Sequence, residues 1–206
     1  MDIEYHGANC VIIKNKTTSI VVDPTTNSSA KEQNSDGRVV LSTMGELAQR
    51  GDELVIDMPG EFEYREASIK GIPVHRHTDE SGKNATMYQV DFNDVKIAII
   101  GHTDAPLEDD DLENLGMIDI VIIPIGGNGY TLDGHDAATI VRQISPKIVI
   151  PTHFDDGKTT YEVPQEIVEP FAKELGVQHE KQSSLKIKTS GDLSDTLTIV
   201  ELSRLN

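Results

Sequence analysis

Seven histidines are spread along the chain: His6, His75, His77, His102, His135, His153 and His179. Imidazole is the commonest metal ligand at neutral pH, and several converging imidazoles suit zinc or iron. Three of the segments that carry them follow dense apolar runs. His75 and His77 come after Ile72-Pro73-Val74, His102 after Ile99-Ile100-Gly101, and His153 after Ile150-Pro151-Thr152. Loops beyond strand ends are where a rigid scaffold usually presents a site. Taken singly, each of these histidines reads as a structural residue. The repeated placement is what raises metal binding to an equal reading. His135, in Leu132-Asp133-Gly134-His135-Asp136, reads as a cap, a surface residue or a group leaning over the site. His179 lies among charges and reads as surface, and His6 reads as structural.

Two carboxylates belong to the same argument. Asp23 ends the run Val21-Val22-Asp23-Pro24, and Asp104 follows His102 by two residues. Such groups can ligate a metal directly or hold a histidine's other nitrogen. For Asp104 an exposed acidic turn is the competing reading, since Glu108-Asp109-Asp110-Asp111 follows. Other chemistries find no support. Gly126-Gly127-Asn128-Gly129 lacks the Gly-Lys-Ser/Thr of a phosphate loop and the Gly-x-Gly-x-x-Gly fingerprint, and reads as a turn that lets backbones approach closely. The Gly-x-Ser-x-Gly elbow of an α/β-hydrolase is absent.

The elements that must position these residues come in two patterns. Early in the chain, residues 8–13 and 18–22 read as a hairpin around Lys14-Asn15-Lys16, with short strands at 39–41 and 54–56. Residues 25–37 read as a polar loop, and 45–50 as one or two helical turns. Extended runs follow at 68–74, 86–92 and 95–100. Later the pattern alternates. Helices are expected at 107–115, 133–144 and 163–175, and strands at 118–125, 148–150, 185–188 and 196–202. Hairpins followed by β–α alternation predict two sheets with helices outside, an α/β fold that is not a doubly wound sheet. No linker interrupts the chain, so residues 1–206 are expected to form one domain.

Composition bounds the partners. The formal net charge of −17 argues against nucleic acid, which needs clustered Lys and Arg, and against anionic membrane surfaces. Cys10 is the lone cysteine, so it forms no internal disulfide, and its apolar setting predicts a small buried residue. The start Met1-Asp2-Ile3-Glu4 does not read as a signal peptide, and a cytoplasmic location is expected. A small-molecule substrate is expected, of a class the sequence does not disclose, and a homo-oligomer is compatible with the chain.

The hairpin ending in Val-Val-Asp-Pro, then Ile-Ile-Gly-His-Thr-Asp, Asp-Ile-Val-Ile-Ile-Pro-Ile-Gly-Gly and Val-Ile-Pro-Thr-His-Phe, occur in this order. As an ordered set they resemble the metallo-β-lactamase fold superfamily, and in particular its small stand-alone predicted zinc-dependent hydrolases. The resemblance implies an αββα four-layer sandwich with a metal site at one edge. It makes His77 (or His75) the third-motif histidine and His153 the last-motif histidine. It puts His102 where the family carries its metal-bridging Asp, and gives Asp23 a supporting role. The family's His-x-His-x-Asp-His signature should fall near Val39–Glu46, which contains no histidine. The expectation is therefore a single zinc on His77, His102 and His153, with Zn–N distances of ~2.0–2.1 Å. Asp104 or Glu61 would then be the base, with His75, His135 and Asp23 in reserve as supports or added ligands. The alternative is a non-catalytic relative that keeps the fold for binding or assembly.

Overall fold

The structure is a computed structural model that describes residues 1–24, 38–45, 54–76 and 82–205. Its first sheet is built from β1 (Asp2–Gly7), β2 (Cys10–Lys14), β3 (Ser19–Val22), β4 (Arg38–Leu41) and β5 (Leu54–Ile56), with β13 (Leu185–Lys186) added beside β1. The β2–β3 hairpin closes as expected from its sequence. The Asn15 side chain accepts from the backbone N–H of Thr17 at 2.9 Å and of Thr18 at 2.8 Å, which folds the turn locally. The strands then show the period of two that a two-faced sheet requires. Val11, Ile13, Ile20, Val22, Val39 and Leu41 enter the main core, while Cys10, Ile12, Val21 and Val40 form a second buried cluster on the opposite face, against Val55. Cys10 is thus the small buried residue anticipated.

The second sheet has eight strands, ordered β12-β14-β11-β10-β9-β8-β7-β6. They are β6 (Gly60–Tyr64), β7 (Ala67–Val74), β8 (Ala85–Phe92), β9 (Val95–Ile99), β10 (Ile120–Pro124), β11 (Ile148–Thr152), β12 (His179–Gln182) and β14 (Thr198–Leu202). Strands β6 to β9 run antiparallel, and β9 to β11 and β14 run parallel. Asn93 and Asp94 both take left-handed backbone at the β8–β9 hairpin, as a tight two-residue turn needs. Strand β10 is buried along its whole length. That explains its unbroken apolar run, because the other sheet covers one face and helix covers the other.

Helices α1 (Asp109–Leu115), α2 (Gly134–Ile144) and α3 (Val168–Leu175) pack on this second sheet, α1 against β7 and α2 against β10 and α3. Asp133 caps α2 by accepting from His135 and Asp136 N–H. Helix α3 starts five residues later than its sequence suggests. Residues 163–167 instead form an extended strap, in which Glu166 N–H donates to Gly126 and its carbonyl accepts from Asp155 N–H. The mixed α/β arrangement of two facing sheets is the fold class the sequence implied. The expected polar loop at 25–37 and most of the turn at 45–50 lie outside the described residues. Strands β1, β6 and β12 were not anticipated: β12 reads His-Glu-Lys-Gln, with no apolar residue to announce it. No helix among the described residues is long and apolar enough to cross a membrane.

Candidate metal-type cleft at the sandwich edge

The C-terminal ends of β3, β4, β9 and β11 and the β1–β2 turn meet at one edge of the sandwich. A cleft of about 260 Å³ opens there, lined by Asn9, Asp23, Ser42, Met44, His102 and His153 together with Ala8 and Pro24. Both sheets contribute, and the backbone ties them: His153 N–H donates to Ala8 carbonyl at 2.8 Å and Thr86 N–H to Thr43 carbonyl at 3.1 Å. Ala8 (φ 50°), Asp23 (φ 39°) and His153 (φ 49°) all hold left-handed backbone here. Such conformations are disfavoured for residues with a side chain and gather where the surrounding structure enforces a function-bearing geometry.

His102 is oriented from below. Thr43 donates its hydroxyl to Asp23 Oδ2 at 2.6 Å, and its backbone N–H to Asp23 Oδ1 at 2.8 Å. A hydroxyl has one proton, so at its 3.0 Å contact with His102 Nδ1 the same oxygen must accept. The proton of His102 therefore sits on Nδ1 and the lone pair on Nε2. The Asn9 amide nitrogen lies 3.4 Å from Nε2, turned that way because Asn9 Oδ1 accepts from Thr152 at 3.0 Å. Burial pushes the Asp23 carboxyl up to about 6, against the two hydrogen bonds from Thr43 that favour its charge.

His153 is oriented from the side by a parallel device. Gln165 donates its amide N–H to the carbonyls of Val163 (3.0 Å) and Pro164 (3.2 Å), so its Oε1 faces His153 Nδ1 at 3.0 Å. Nδ1 again carries the proton and Nε2 the lone pair. Burial lowers the pKa of this imidazole and keeps it neutral. The Gly126 turn makes the arrangement possible: a Cβ there would overlap both the His153 carbonyl oxygen and Gln165 Oε1. The glycine-rich loop thus serves close approach, as its sequence suggested. Gly101, with φ 58°, plays the same part beside His102, because a Cβ would collide with Thr43.

From the residues singled out by sequence, the structure places His102, His153 and Asp23 around this one cleft, without drawing their ligand atoms into a converging three-ligand group. His77 lies outside the described residues. His75 is exposed at the end of β7 and meets the His102 loop through its carbonyl, which accepts from Asp104 N–H at 2.7 Å. The two expected bases are elsewhere. Glu61 sits on the solvent face of β6, whose residues alternate, and lines a different groove with Lys70 and Lys96. Asp104 is exposed and turns its carboxylate back to Ala105 N–H. His135 is 74% exposed beside Glu174, because the first turn of α2 points it outward. His179 is half-buried and bonded to Glu201 at 2.8 Å. With Glu169 these two form the one converging three-ligand group among the described residues, but the Lys181 ammonium is already there, 3.0 Å from Glu201. Thr43, Asn9 and Gln165 were not anticipated. Thr43 and Asn9 had only position as a signal, two residues past a strand and inside a turn, and Gln165, in the strap before α3, had none.

A two-sheet α/β sandwich whose site groups border one cleft at the strand ends of one edge is the metallo-β-lactamase class of architecture. A family profile described as a beta-lactamase superfamily domain matches residues 2–153, and the chain belongs to the metallo-β-lactamase superfamily. It is 27% identical to the UPF0173 metal-dependent hydrolase of Lysinibacillus sphaericus, over 80% of this chain and 90% of that protein. The corresponding protein of Natranaerobius thermophilus is 25% identical, over 75% and 84%. Among solved structures, a metallo-beta-lactamase superfamily protein from Thermotoga maritima superposes with a TM-score of 0.73 at 22% identity, covering 98% of each chain.

Proposed function

We propose that this chain is a metal-dependent hydrolase that uses one metal ion, with His102 and His153 as ligands and His77 as the third. The observation that carries this reading is the paired presentation of the two imidazoles. Both border one cleft, and each gives its Nδ1 proton to a fixed acceptor, which leaves Nε2 as the ligand atom. Metal-binding histidines are held in this way. The name of the relatives supports metal dependence. A two-metal site does not fit the described residues, because Ser42, Thr43 and Met44 stand after β4, where the family signature is expected. A zinc ion at the one-metal site would supply Lewis-acid activation of an acyl or phosphoryl group and of water. Among the carboxylates weighed as bases and supports, Asp23 is the one that lines the cleft. Its pKa near 6 suits proton transfer close to neutrality. The Asn9 amide, buried and anchored by Thr152, is a fixed donor beside the reacting centre.

Zinc analysis of protein purified without chelator tests the proposal. About one equivalent is expected, lost in His102→Ala and His153→Ala and reduced in His77→Ala. Less than roughly a tenth of an equivalent, with no rebinding on titration, overturns it. A second reading, a non-catalytic member with a binding or assembly role, is favoured by one contact. The Asn9 amide already faces His102 Nε2, where a metal would have to displace it. Failure to bind zinc would select that reading.

A further inference from the structure

A second cavity, of about 450 Å³, adjoins the cleft and shares Ala8 and His153 with it. We propose that this cavity holds the anionic group, a phosphate or a carboxylate, of a substrate whose reacting bond lies at His153. The position of that bond rests on the function proposed above. The anion site itself stands on the cavity's own residues.

Lys158 and Arg204 both line it. In a chain with 18 Lys and Arg against 35 Asp and Glu, two cations at one cavity are a local reversal of the overall charge. Arg204 is built into place. Its Nη1 donates to Thr159 Oγ1 at 3.0 Å, and Thr159 in turn donates to Asp156 at 2.8 Å. Asp156 also accepts the backbone N–H groups of Lys158 and Thr159, which fixes the turn that carries both side chains. Gly7 (φ 98°) leaves room for the guanidinium: a Cβ there would come within 3.1 Å of Arg204 Nε.

Arg204 Nε is buried and has no hydrogen-bond partner among the described residues, while the buried Tyr161 hydroxyl meets the Tyr5 and Thr159 side chains. Burial raises the Tyr161 pKa, so the phenol keeps its proton. Its ring packs against His153 with centroids 4.8 Å apart, which links the cavity directly to the cleft. Guanidinium and ammonium groups bind oxyanions with charge-assisted hydrogen bonds. The carboxylate that also lines the cavity, Glu162, is held at 2.9 Å by the Tyr130 hydroxyl. The volume lies within the range of small-molecule sites. An oxyanion would fill part of it and leave the rest to the body of the substrate.

Inorganic phosphate and acetate, titrated separately into the whole protein by calorimetry in the presence of EDTA, test the site without reference to any metal. At least one anion should bind, and the stronger of the two distinguishes a phosphoryl from a carboxylate group. Binding should weaken roughly tenfold in both Lys158→Gln and Arg204→Gln, the loss expected for one charge-assisted bond. Arg204 also braces the 156–159 turn, so its variant requires a native circular dichroism spectrum; Lys158 is exposed and tests the site even where Arg204→Gln does not fold. No binding of either anion up to roughly 10 mM, or unchanged binding in Lys158→Gln, overturns the proposal. A protein that binds phosphate here and takes up no zinc would refute the metal reading while leaving the anion site in place.

Discussion

Replacing Asp23 by Asn should reverse the direction of the hydrogen bonds beneath His102. In the native chain the Thr43 hydroxyl donates to Asp23 and accepts from His102 Nδ1. An Asn at position 23 would still accept the Thr43 backbone N–H with its amide oxygen. Its NH₂ group would then face Thr43 Oγ1, which must accept and pass its own proton toward His102 Nδ1. The imidazole proton would move to Nε2, the atom needed as ligand. Loss of such an orienting partner typically costs 10–100-fold in metal affinity, and the zinc dissociation constant of Asp23→Asn should rise by about that factor. Stability should move the other way. The native Asp23 pKa is raised from 3.8 to about 6, so the folded state binds the proton more tightly than the unfolded chain. Its favourable contribution is complete below about pH 3.8 and is lost as pH rises through about 6. The gap corresponds to about 3 kcal/mol. Asn has no such titration. Urea unfolding at pH 4 and pH 7 should therefore show the stability of Asp23→Asn, relative to the native chain, rising by up to about 3 kcal/mol. Nitrogen NMR of the imidazoles would report the tautomer. Native zinc affinity with the Nδ1–H tautomer retained, or a stability difference that does not change with pH, would refute the reasoning.

Three further outcomes follow from the same geometry. Gly126→Ala puts a methyl group into the His153 carbonyl and Gln165 Oε1, and should cost about 1–3 kcal/mol in chemical denaturation while weakening zinc binding. Gln165→Leu removes the acceptor for His153 Nδ1, and should raise the zinc dissociation constant about tenfold or more with a native circular dichroism spectrum. His135→Ala, at an exposed position on α2, should change stability by less than about 0.5 kcal/mol and leave zinc binding as it is. A strong zinc effect there would mean that the metal site reaches helix α2.

Much of the scaffold was legible because apolar runs between turn residues carry their own period: β3, β5, β9 and β10 fall within segments read from sequence, and β2, β7, β8 and β11 overrun theirs by one or two residues. The same runs located His102, His153 and Asp23, because a polar residue just past a buried strand has little choice of position. Sequence did not disclose which way side chains point. Glu61 follows Pro59-Gly60, yet the pleat of β6 turns it to solvent, and the first turn of α2 does the same to His135. Nor could spacing find partners that meet only through sheet packing. Thr43 lies 59 residues from His102, Asn9 lies 93 from it, and Arg204 lies 45 from Thr159. Hydroxyls and amides carry no periodic signal, and a basic pair is hidden in a chain of net charge −17.

The bond from His153 N–H to the Ala8 carbonyl joins the strand ends of two different sheets. Asp23, Thr43 and Asn9 belong to one sheet, and His102 and His153 to the other. Neither half can be competent alone, so the site comes into being only at the final docking of the sandwich. Under the proposed function, assembly of the chemistry is thereby slaved to completion of the fold, and a nascent or partly opened chain exposes no half-formed reactive centre. The amide of His153 should accordingly exchange with solvent only when the sheets part, and its protection would be a direct gauge of how often they do.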